Sequence, residues 1–485
     1  MTRALGLSPL TAAAILMALA LAGCGSAGGA GNIGSAGASG QPVDTSFSVS
    51  DTPPTGVAIL RFQIQVTAAS LQPSSGNPVS LLTAPATVEL EHLQSESALL
   101  SNPSVPSGNY TSFSATFANP QMAILNRSNT TYLGCAPNQV CNVTPTLNQT
   151  TASDNSAPFP IALSSASPLA FVLHFDVNAS VQGDLSISPT ISLKEVPPLP
   201  NGALEQFHVE GRVAAVNSPS FTLQTGFGSL SLSVATNAST QYDFGSVCAA
   251  DSFTCLAVGD VVRVGVNGMA GGTLVASEVD LVAPQGMPAL EGVVIGVNTT
   301  TSPAQIQLAL MDFQDDAQGH LAAANMTYGL SLTIKLPTST TYSIDTDGVT
   351  LPTLKPPLSF ASIGDIVVGQ TLAVQPTVSS IQASAGPSAI QISFTAPSVQ
   401  LQSSELTATI AAISSPSFTL NGLPPLLTGA TPPITEIQVD TQTGTNFENI
   451  TGVSALADGD TVSVGGLLFN TASTPTLVAE RVMQR

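Results

Sequence analysis

The chain has 485 residues, of which 43% are hydrophobic and only 8% are charged. A length of this order usually divides into several domains, roughly three to four, and the apolar content excludes disorder of the whole chain. Thirty acidic against ten basic side chains give a formal net charge of −20. Such a chain repels phosphate backbones, so we exclude nucleic acid as a partner and expect the acidity to serve solubility.

Residues 1–23 are typical of a signal peptide. One positive charge, at Arg3, precedes an uncharged stretch whose apolar part is too short to span a membrane. The sequence Leu21-Ala22-Gly23-Cys24 resembles the bacterial lipobox, and the resemblance implies that Cys24 is acylated at its thiol and, after cleavage, at its new amino group. Several acyl chains hold a protein firmly on a membrane. An ordinary secretory signal, with Cys24 incidental, is the alternative.

Residues 24–43 continue from this cysteine as a linker rich in Gly, Ser and Ala. Such a composition forms a flexible tether and no core. We therefore expect the mature protein to be exported and anchored by lipid, at the outer membrane, in the periplasm or on the surface of a bacterium. We expect its N-terminal acyl chains to bind the membrane.

Four further cysteines form two short-range pairs, Cys135 with Cys141 and Cys248 with Cys255. Four cysteines allow three pairings, and we expect the local disulfides because each pair lies within reach and within its own predicted domain. Disulfides agree with export. A zinc site usually has cysteines about two to four residues apart with histidines nearby, and a redox site has Cys-x-x-Cys, so these spacings favour neither. The sequence predicts no metal and no cofactor.

Apolar and polar residues alternate repeatedly from Val43 to the end of the chain, which predicts an all-β fold. The alternation is unbroken over residues 60–67, and over residues 171–177 it places four apolar side chains on one face. Thirty-six prolines and forty glycines punctuate these runs, as turns between strands require. A weak helical spacing over residues 93–100 predicts one short helix.

Residues 44–197 form the first predicted domain, because four motifs follow one another there. They are Asp51-Thr52-Pro53, Val88-Glu89-Leu90 with Leu93-Gln94, Pro106-Ser107-Gly108-Asn109-Tyr110, and Phe175-Asp176. This order resembles a family of bacterial lipoprotein domains named only as a domain of unknown function. The resemblance implies a β-sandwich outside the cytoplasm and identifies no active site. The turn at Gly108 also occurs in transthyretin-like sandwiches.

Three tandem repeats follow, over residues 205–284, 289–400 and 405–485, since several landmarks recur in one order. The landmarks are Val209-Glu210-Gly211, Leu290-Glu291-Gly292 and Leu406-Thr407-Ala408, followed later by Gly259-Asp260, Gly364-Asp365 and Gly459-Asp460. The first and third repeats resemble a second bacterial domain of unknown function, which we interpret as a small OB-like barrel. The middle repeat departs from them by an insertion around residues 312–328. We expect the three barrels to form an arm after the sandwich.

The sequence contains no Gly-x-Ser-x-Gly, His-Glu-x-x-His or phosphate-binding glycine loop. The four histidines are dispersed, with His92, His174 and His208 on strand-like stretches and His320 in an acidic loop. We therefore predict that the protein is not an enzyme. A hydrolase with two facing carboxylates stays an alternative, because such residues meet only in space.

Two binding chemistries, for calcium and for glycans, have simpler interpretations in this sequence. Acidic turns in the middle repeat contain Asp312, Asp315, Asp316, Asp345 and Asp347. They lack the ligand spacing of an EF-hand loop, so we expect solvated turns rather than a calcium site. Glycan binding usually needs aromatic platforms. The chain has no Trp, and its tyrosines, each expected to cap a core, are Tyr110, Tyr132, Tyr242, Tyr328 and Tyr342.

The sequence thus predicts a sandwich followed by three OB-like barrels in a non-catalytic, lipid-anchored cell-envelope protein. We expect it to act as a binding or structural surface module. A carbohydrate-binding or adhesion lipoprotein, with a cell-surface glycan or protein as partner, is the first alternative.

Overall fold

The computed structural model describes residues 42–485 except for short gaps. The gaps are 53–57, 94–97, 102, 129, 157, 165–168, 197, 199–202, 226–230, 246, 270–272, 316–318, 347–348, 354–356, 386–389 and 472–473. Strands dominate the described residues, and the fold is all-β, as the alternation predicts. Three four-residue helices accompany them, α1 (Val177–Ser180), α2 (His320–Ala323) and α3 (Pro425–Thr428). In this part of the chain no helix is long and apolar enough to cross a membrane.

The first domain is a β-sandwich. Its strands are β1 (Pro42–Thr52), β2 (Ala58–Pro73), β3 (Val79–Ser80), β4 (Ala86–Glu89), β5 (Ala98–Ser101), β6 (Ser104–Pro106), β7 (Gly108–Leu125), β8 (Val140–Val143), β9 (Thr151–Asp154), β10 (Ile161–Leu163), β11 (Leu169–Asp176) and β12 (Ile191–Val196). One sheet has the order β12-β11-β1-β5, with β6 also paired to β1. The other is built on the long antiparallel pair β2–β7, which β3, β4, β8, β9 and β10 extend.

Aromatic side chains from both sheets meet in the core of the sandwich. Phe171, Leu173 and Phe175 lie on the buried face of β11, as the alternation predicts. The Phe175 ring packs edge-on against Phe62 of β2 and Phe117 of β7, with ring centroids 5.9 and 5.3 Å apart. Edge-to-face contact is the favoured arrangement for such rings and adds to the free energy of burying them.

The helix predicted over residues 93–100 is wrong for the part that the structure describes. Glu91–Leu93 form a single 3-10 turn, which also contains His92, and Ala98–Ser101 form strand β5. β5 pairs with β1 at the edge of the sheet through Ala98, Leu99 and Ser101, so this segment gains sheet pairing on one side. Tertiary pairing therefore overrides a weak helical spacing.

The first repeat folds into a closed barrel, called barrel 1. Its strands are β13 (Ala203–Asn217), β14 (Ser220–Thr225), β15 (Ser231–Ala235), β16 (Gln241–Asp243), β17 (Val261–Met269) and β18 (Leu274–Ala283). β13 pairs with β14 and β17, and the parallel pair β15–β18 closes the barrel. This connectivity is that of the five-stranded Greek-key OB-fold, with the short β16 added beside β18.

The middle repeat, barrel 2, has the same connectivity with a divided last strand. Its strands are β19 (Ala289–Asn298), β20 (Ala304–Gln314), β21 (Ser331–Leu336), β22 (Thr341–Ile344), β23 (Thr371–Gln375), β24 (Gln382–Ala385), β25 (Ile390–Thr395) and β26 (Ser398–Gln402). β25 pairs in parallel with β21, whereas β26 pairs with β23. Pro397 lies at the break, where its missing N–H would interrupt a continuous ladder.

The third repeat, barrel 3, repeats the closed pattern of barrel 1. Its strands are β27 (Ser404–Ser414), β28 (Ser417–Asn421), β29 (Ile437–Asp440), β30 (Asn446–Glu448), β31 (Thr461–Phe469) and β32 (Thr476–Gln484). The parallel pair β29–β32 closes it, as β15–β18 closes barrel 1. All three repeats therefore share one OB-like fold.

The prediction that Gly364-Asp365 is the landmark of the middle repeat is wrong. In barrel 1 the Gly259 N–H donates to the Val213 carbonyl, and the Asp260 carbonyl accepts from the Val213 N–H. In barrel 2 the same pair of bonds joins Val294 to Gly369 and Gln370. Asp365 instead caps the 3-10 turn Ile363–Asp365.

An amide performs in barrel 2 the task of the aspartate in barrel 1. Gln370 Oε1 accepts from the Val367 N–H at 2.8 Å, as Asp260 Oδ2 accepts from the Ala257 N–H at 2.8 Å. The preceding Gly369 has φ of 94°, a conformation that favours glycine. The landmark is thus a left-handed glycine followed by any side chain that can accept this bond.

The barrels do not extend from the sandwich as an arm, because the described residues between 42 and 485 belong to one compact unit. Ala58 and Leu60 of β2 pack against Ile295 and Ala309 of barrel 2. Arg127, which follows β7, donates from Nη2 to the Ile295 carbonyl at 2.9 Å. The outer face of the sandwich sheet is therefore a buried face, and burial of apolar surface between domains replaces the extended arrangement.

Barrel 3 packs against both barrel 2 and the sandwich. Leu467, Phe469 and Val478 belong to the same hydrophobic cluster as the core of barrel 2. At the other side, the Arg485 guanidinium lies 3.4 Å from His174 Nδ1 of β11. The C-terminal barrel thus returns to the first domain, and the four domains enclose a central space.

Candidate functional site

A cavity of about 490 Å³ lies where the sandwich and the three barrels meet. All four domains contribute to its lining, so it exists only when they are assembled. Its volume lies within the usual range of small-molecule sites, roughly 300–1,000 Å³. We call it the central cavity.

Much of the lining is apolar. The sandwich and barrels 1 and 2 contribute Ile59, Leu60, Leu93, Leu99, Leu100, Phe207, Val209, Leu232, Val293 and Met311. Barrel 3 contributes Leu406, Pro424, Leu426, Leu427, Ile437, Leu468 and Leu477 beside Ser403, Ser404 and Glu405. The barrel 3 side of the cavity is therefore mainly hydrophobic, with polar side chains only at residues 403–405 among those that are described.

Ionisable side chains from the other three domains form what we call the ionic cluster. Its members are Arg61 and Glu89 of the sandwich, Glu210 and Arg263 of barrel 1, and Glu291 and Asp312 of barrel 2. All except Arg61 line the central cavity. Arg61, Glu89, Glu291 and Asp312 are each less than a tenth exposed. Buried charges of this kind need partners, and the cluster supplies them to itself.

Arg263 of β17 is the centre of one half of the cluster. Its Nη2 lies 2.7 Å from Glu291 Oε2 across the boundary between barrels 1 and 2. Glu210 Oε2 lies 3.9 Å from the same nitrogen, and Asp345 Oδ2 lies 3.9 Å from Nη1. This guanidinium therefore joins the two barrels, with its closest contact to Glu291 and two further carboxyl groups nearby.

Asp312, near the end of β20, is the centre of the other half. Its Oδ1 accepts from the Phe313 N–H at 2.7 Å, and its carboxyl group hydrogen-bonds with the Tyr328 hydroxyl. The Arg61 guanidinium lies 4.5 Å from the centre of the Tyr328 ring, a cation–π contact between the sandwich and barrel 2. Glu89 Oε1 accepts from the Phe62 N–H at 2.7 Å and holds β4 to β2.

Burial and crowding shift the acidity of two carboxyl groups in the cluster. Burial, together with the neighbouring Glu291 carboxylate, raises the pKa of Asp312 to about 8. The same two causes raise the pKa of Glu210 well above its ordinary value, although Arg263 opposes them. Asp312 is therefore largely protonated near neutral pH, and its proton reduces the charge that four carboxyl groups would otherwise place beside two guanidinium groups.

Glu210 and Glu291 occupy the same position in their repeats, next to a glycine in the first strand. Barrel 3 has Thr407 there, and its hydroxyl hydrogen-bonds with that of Ser463 at 2.5 Å. Sequence analysis identifies these two glutamates only as landmarks of the repeats. A signal was available, since a recurring glutamate in an apolar strand is unusual in a chain with 8% charged residues. Their meeting with Arg263 and Asp312 had no sequence signal.

Facing carboxylates are the geometry required by the hydrolase alternative. The side chains of Glu210 and Glu291 approach within hydrogen-bonding contact of each other, and Glu291 is also paired with Arg263. Glycosidases hold their two carboxyl groups about 5–9.5 Å apart, so that sugar and water fit between them. A hydrogen-bonded pair leaves no such space.

The predicted disulfides are both present and both local. Cys135 and Cys141 connect the loop after β7 to β8, and Cys248 and Cys255 close a loop between β16 and β17. Both pairs have Cα atoms 5.8 Å apart. The lipidation residue predicted from the lipobox, Cys24, lies outside the described residues.

None of the five tyrosines is part of the described lining of the central cavity. Tyr110 is fully buried and donates to the Pro106 carbonyl at 2.6 Å, which fixes the turn at Gly108. Tyr132 donates to the Gly183 carbonyl at 2.6 Å. Tyr242 stacks on Phe244, and Tyr342 packs edge-on against Phe360. Tyr328 belongs with Arg61 and Asp312, so the five rings do not form one platform.

The described aspartates of the acidic turns interact with different partners and do not converge on one site. Asp315 accepts from the Leu321 and Ala322 N–H groups at 2.9 Å and so caps α2, beside His320. Asp312 and Asp345 belong to the surroundings of Tyr328 and Arg263. Asp316 and Asp347 lie outside the described residues. Among the residues that are described, no group of three or more His, Cys, Asp or Glu side chains is arranged to hold a metal ion.

Two of the histidines lie near domain boundaries. His174 of β11 is largely buried beside Arg485 and Lys194, and burial followed by these two cations lowers its pKa to about 3. His208 lines the central cavity and also a second, polar pocket of about 300 Å³. The polar pocket is lined by side chains that include Gln206, Gln241, Glu278, Gln442, Asn446 and Arg481.

The fold and this cavity define an all-β protein with OB-like barrels and a shared interdomain site. Residues 210–280, within barrel 1, match the model of a family described as a domain of unknown function, DUF5666. A search of curated proteins found no match.

Two solved structures are similar over part of the chain. A deletion mutant of the single-stranded DNA-binding protein from Thermus aquaticus is 12% identical, with a TM-score of 0.15 over 41% of this chain and 93% of that one. The CSD456 segment of Drosophila Unr is 10% identical, with a TM-score of 0.13 over 57% of this chain and 97% of that one. The OB-like assignment rests on the strand connectivity of the three barrels and not on these scores.

Proposed function

We propose that the protein is an exported, lipid-anchored, non-catalytic binding module of the bacterial cell envelope, and that its ligand occupies the central cavity. The cavity carries the proposal, because it is large enough for a small molecule and combines apolar walls with a few ionisable groups. The signal-like residues 1–23, the lipobox at Cys24 and the two disulfides support the location.

The anchor is tested by metabolic labelling with palmitate. We expect the wild-type protein to take up label and to partition with membranes, and Cys24→Ala to lose both properties. Ser26→Ala, two residues away in the linker, is the matched control and should label normally. Undiminished labelling of Cys24→Ala would remove the anchor from the proposal.

Binding in the cavity is tested with Nile red, an apolar dye that fluoresces when shielded from water. Val293 lines the cavity, and Val293→Phe places a larger side chain in that space. We expect the wild-type protein to bind the dye and Val293→Phe to bind at least about tenfold less. The control is Val247→Phe at an exposed position. Equal binding by wild type and Val293→Phe, or no binding by either, counts against the cavity as the site.

Carbohydrate binding is the second candidate, and the polar pocket favours it. Amide and carboxylate side chains such as Gln206, Gln241 and Glu278 are the groups that pair with sugar hydroxyls. A pull-down on immobilised polysaccharides tests it, with Gln241→Ala as the variant and Gln438→Ala on barrel 3 as the control. Retention that is lost only in Gln241→Ala would favour this candidate, and absence of retention would eliminate it.

A further inference from the structure

We propose that the central cavity binds a cationic amphiphile, a molecule with an apolar body and a positively charged amine at one end. The inference rests on the proposed function, since it names the ligand class of the same cavity. The geometry points to it through two chemically different parts of one lining.

Barrel 3 supplies the part that suits the apolar body. Leu406, Leu427 and Leu468 line the cavity there, together with other aliphatic side chains of the same barrel. Removing an alkyl chain from water is favourable in proportion to the apolar area buried, so such a wall favours an apolar chain over a small polar ligand. A sugar would leave its hydroxyl groups unpaired against these side chains.

The ionic cluster supplies the part that suits the amine. It places four carboxyl groups, Glu89, Glu210, Glu291 and Asp312, at the cavity lining against the single guanidinium of Arg263, with Arg61 buried nearby. Glu91 and Glu405 also line the cavity and add to the excess of carboxyl groups. A cation that enters the cavity meets an excess of carboxyl oxygens in a site of low dielectric, where the attraction is strong.

Anionic amphiphiles do not fit the same lining. Among the described residues that line the cavity, the basic side chains are Arg263 and His208. Arg263 already lies 2.7 Å from Glu291, so a fatty acid or a phosphate would have to displace that carboxylate. The net charge of −20 also repels anions at a distance and attracts cations.

Protonation of the cluster explains how it remains stable without a ligand. Burial and the adjacent carboxylate raise the pKa of Asp312 to about 8, and Glu210 is shifted in the same direction. The ionisable groups that act on Asp312 are Glu89, Glu210, Glu291, Arg61 and Tyr328. The Asp312 proton offsets part of the excess of carboxyl groups when no ligand is bound, and an amine takes over that role on binding.

The test uses three amphiphiles of equal chain length, decylamine, decan-1-ol and decanoate, in calorimetric titrations of the full chain below their micelle concentrations. We expect decylamine to bind at least about tenfold more tightly than decan-1-ol and decanoate to bind more weakly than both. In buffers of different ionisation enthalpy at pH 7, decylamine should release protons and decan-1-ol should not.

Variants separate the head-group contact from the apolar contact. Asp312→Asn and Glu210→Gln resemble the protonated side chains, so we expect them to fold, to bind decylamine at least about tenfold less tightly and to keep the affinity for decan-1-ol. Val293→Phe should weaken both ligands. Glu448→Gln is the charge-matched control, since this carboxylate pairs with Arg481 at 3.4 Å and is not part of the cavity lining.

The outcomes distinguish this inference from the proposed function. If decan-1-ol binds as tightly as decylamine and only Val293→Phe weakens binding, the cavity is a binding site but the cationic head group is wrong. Tighter binding of decanoate also overturns the inference. If no amphiphile binds, the proposed function fails together with it.

Discussion

Asp312 is a carboxyl group held where its ionised form is poorly stabilised. The side chain is 7% exposed and lies beside Glu291. A hydrogen bond from the Phe313 N–H and the positive charge of Arg61 stabilise its ionised form only in part. In the unfolded chain the same group ionises near its ordinary pKa of about 3.9. The fold therefore retains a proton on Asp312 that the unfolded chain loses, and its stability depends on pH.

The sign of this dependence follows from proton counting. Between pH about 4 and about 8 the folded state carries the Asp312 proton and the unfolded state does not, so the free energy of unfolding falls as pH rises through that window. One proton contributes a slope of at most about 1.4 kcal/mol per pH unit.

We expect Asp312→Asn to lose less stability than the wild type between pH 6 and pH 8, as measured by urea midpoints. The variant cannot ionise at this position, although Glu210 still can. Asp440→Asn, on β29 of barrel 3, is the control and should keep the wild-type slope. An equal slope in Asp312→Asn and wild type would mean that this carboxyl is not held protonated.

Arg61 shows at the residue scale why the site could not be derived from the sequence. The alternation over residues 60–67 predicts β2, and it assigns Arg61 to a solvent-facing position. The strand is present, but Arg61 is 3% exposed because barrel 2 covers that face and brings Tyr328 against it. A pattern of period two identifies the strand, while the partner of its polar face comes from a residue far along the chain.

At the element scale, the close approach of two neighbouring strands explains the glycine that follows Glu291. A Cβ added to Gly292 would lie 2.2 Å from the Ala309 carbonyl oxygen on the neighbouring strand β20. The contact is with backbone, so relief requires the two strands to separate. Gly211 occupies the same position in barrel 1 and has a similar close contact, 2.6 Å from the Gln224 carbonyl oxygen.

We expect Gly292→Ala to destabilise the protein by about 1–3 kcal/mol, because overpacking of this size forces backbone shifts. Gly296→Ala, four residues along the same strand, is the matched control. Its added Cβ would meet only the Gln307 side chain, with Oε1 at 3.2 Å, and that flexible side chain can move. In thermal melts, Gly292→Ala should therefore unfold at a lower temperature than Gly296→Ala. Equal melting temperatures of the two variants would contradict the close approach of the strands.

Strands whose residues alternate and motifs that recur along the chain could be predicted from the sequence. Elements that depend on pairing with distant residues could not. The internal repeats identified three related domains, and their shared connectivity is the OB-like barrel that the sequence suggested. Strand β5 was taken for a helix because its pairing with β1 leaves no mark on its own residues. Gly364-Asp365 is not the landmark of the middle repeat, because Gln370 accepts there the backbone hydrogen bond that Asp260 accepts in barrel 1.

At the scale of the whole molecule, the domains form an enclosure and not an arm. A compact chain of the described length has a radius of gyration of about 22 Å. We expect small-angle scattering from a soluble form without residues 1–40 to give a value near this one and a single maximum in the distance distribution. An extended series of domains would give a clearly larger radius and a long tail, and that result would contradict the enclosure.

The central cavity also belongs to this scale, since its lining comes from four segments of the chain that no local pattern connects. Glu89, Glu210, Glu291 and Leu427 each lie in a different domain and meet only because the domains pack. The sequence could supply the domains and the disulfides, but the site arises from their assembly.

A structure of the protein with decylamine, determined by crystallography, tests the central claim most directly. We predict an ordered alkyl chain against Leu406, Leu427 and Leu468, with the amine nitrogen within hydrogen-bonding distance of the Glu291 or Asp312 carboxyl group. A central cavity filled only with water while the amphiphile lies elsewhere on the protein, or an amine directed away from these carboxyl groups, would contradict the account.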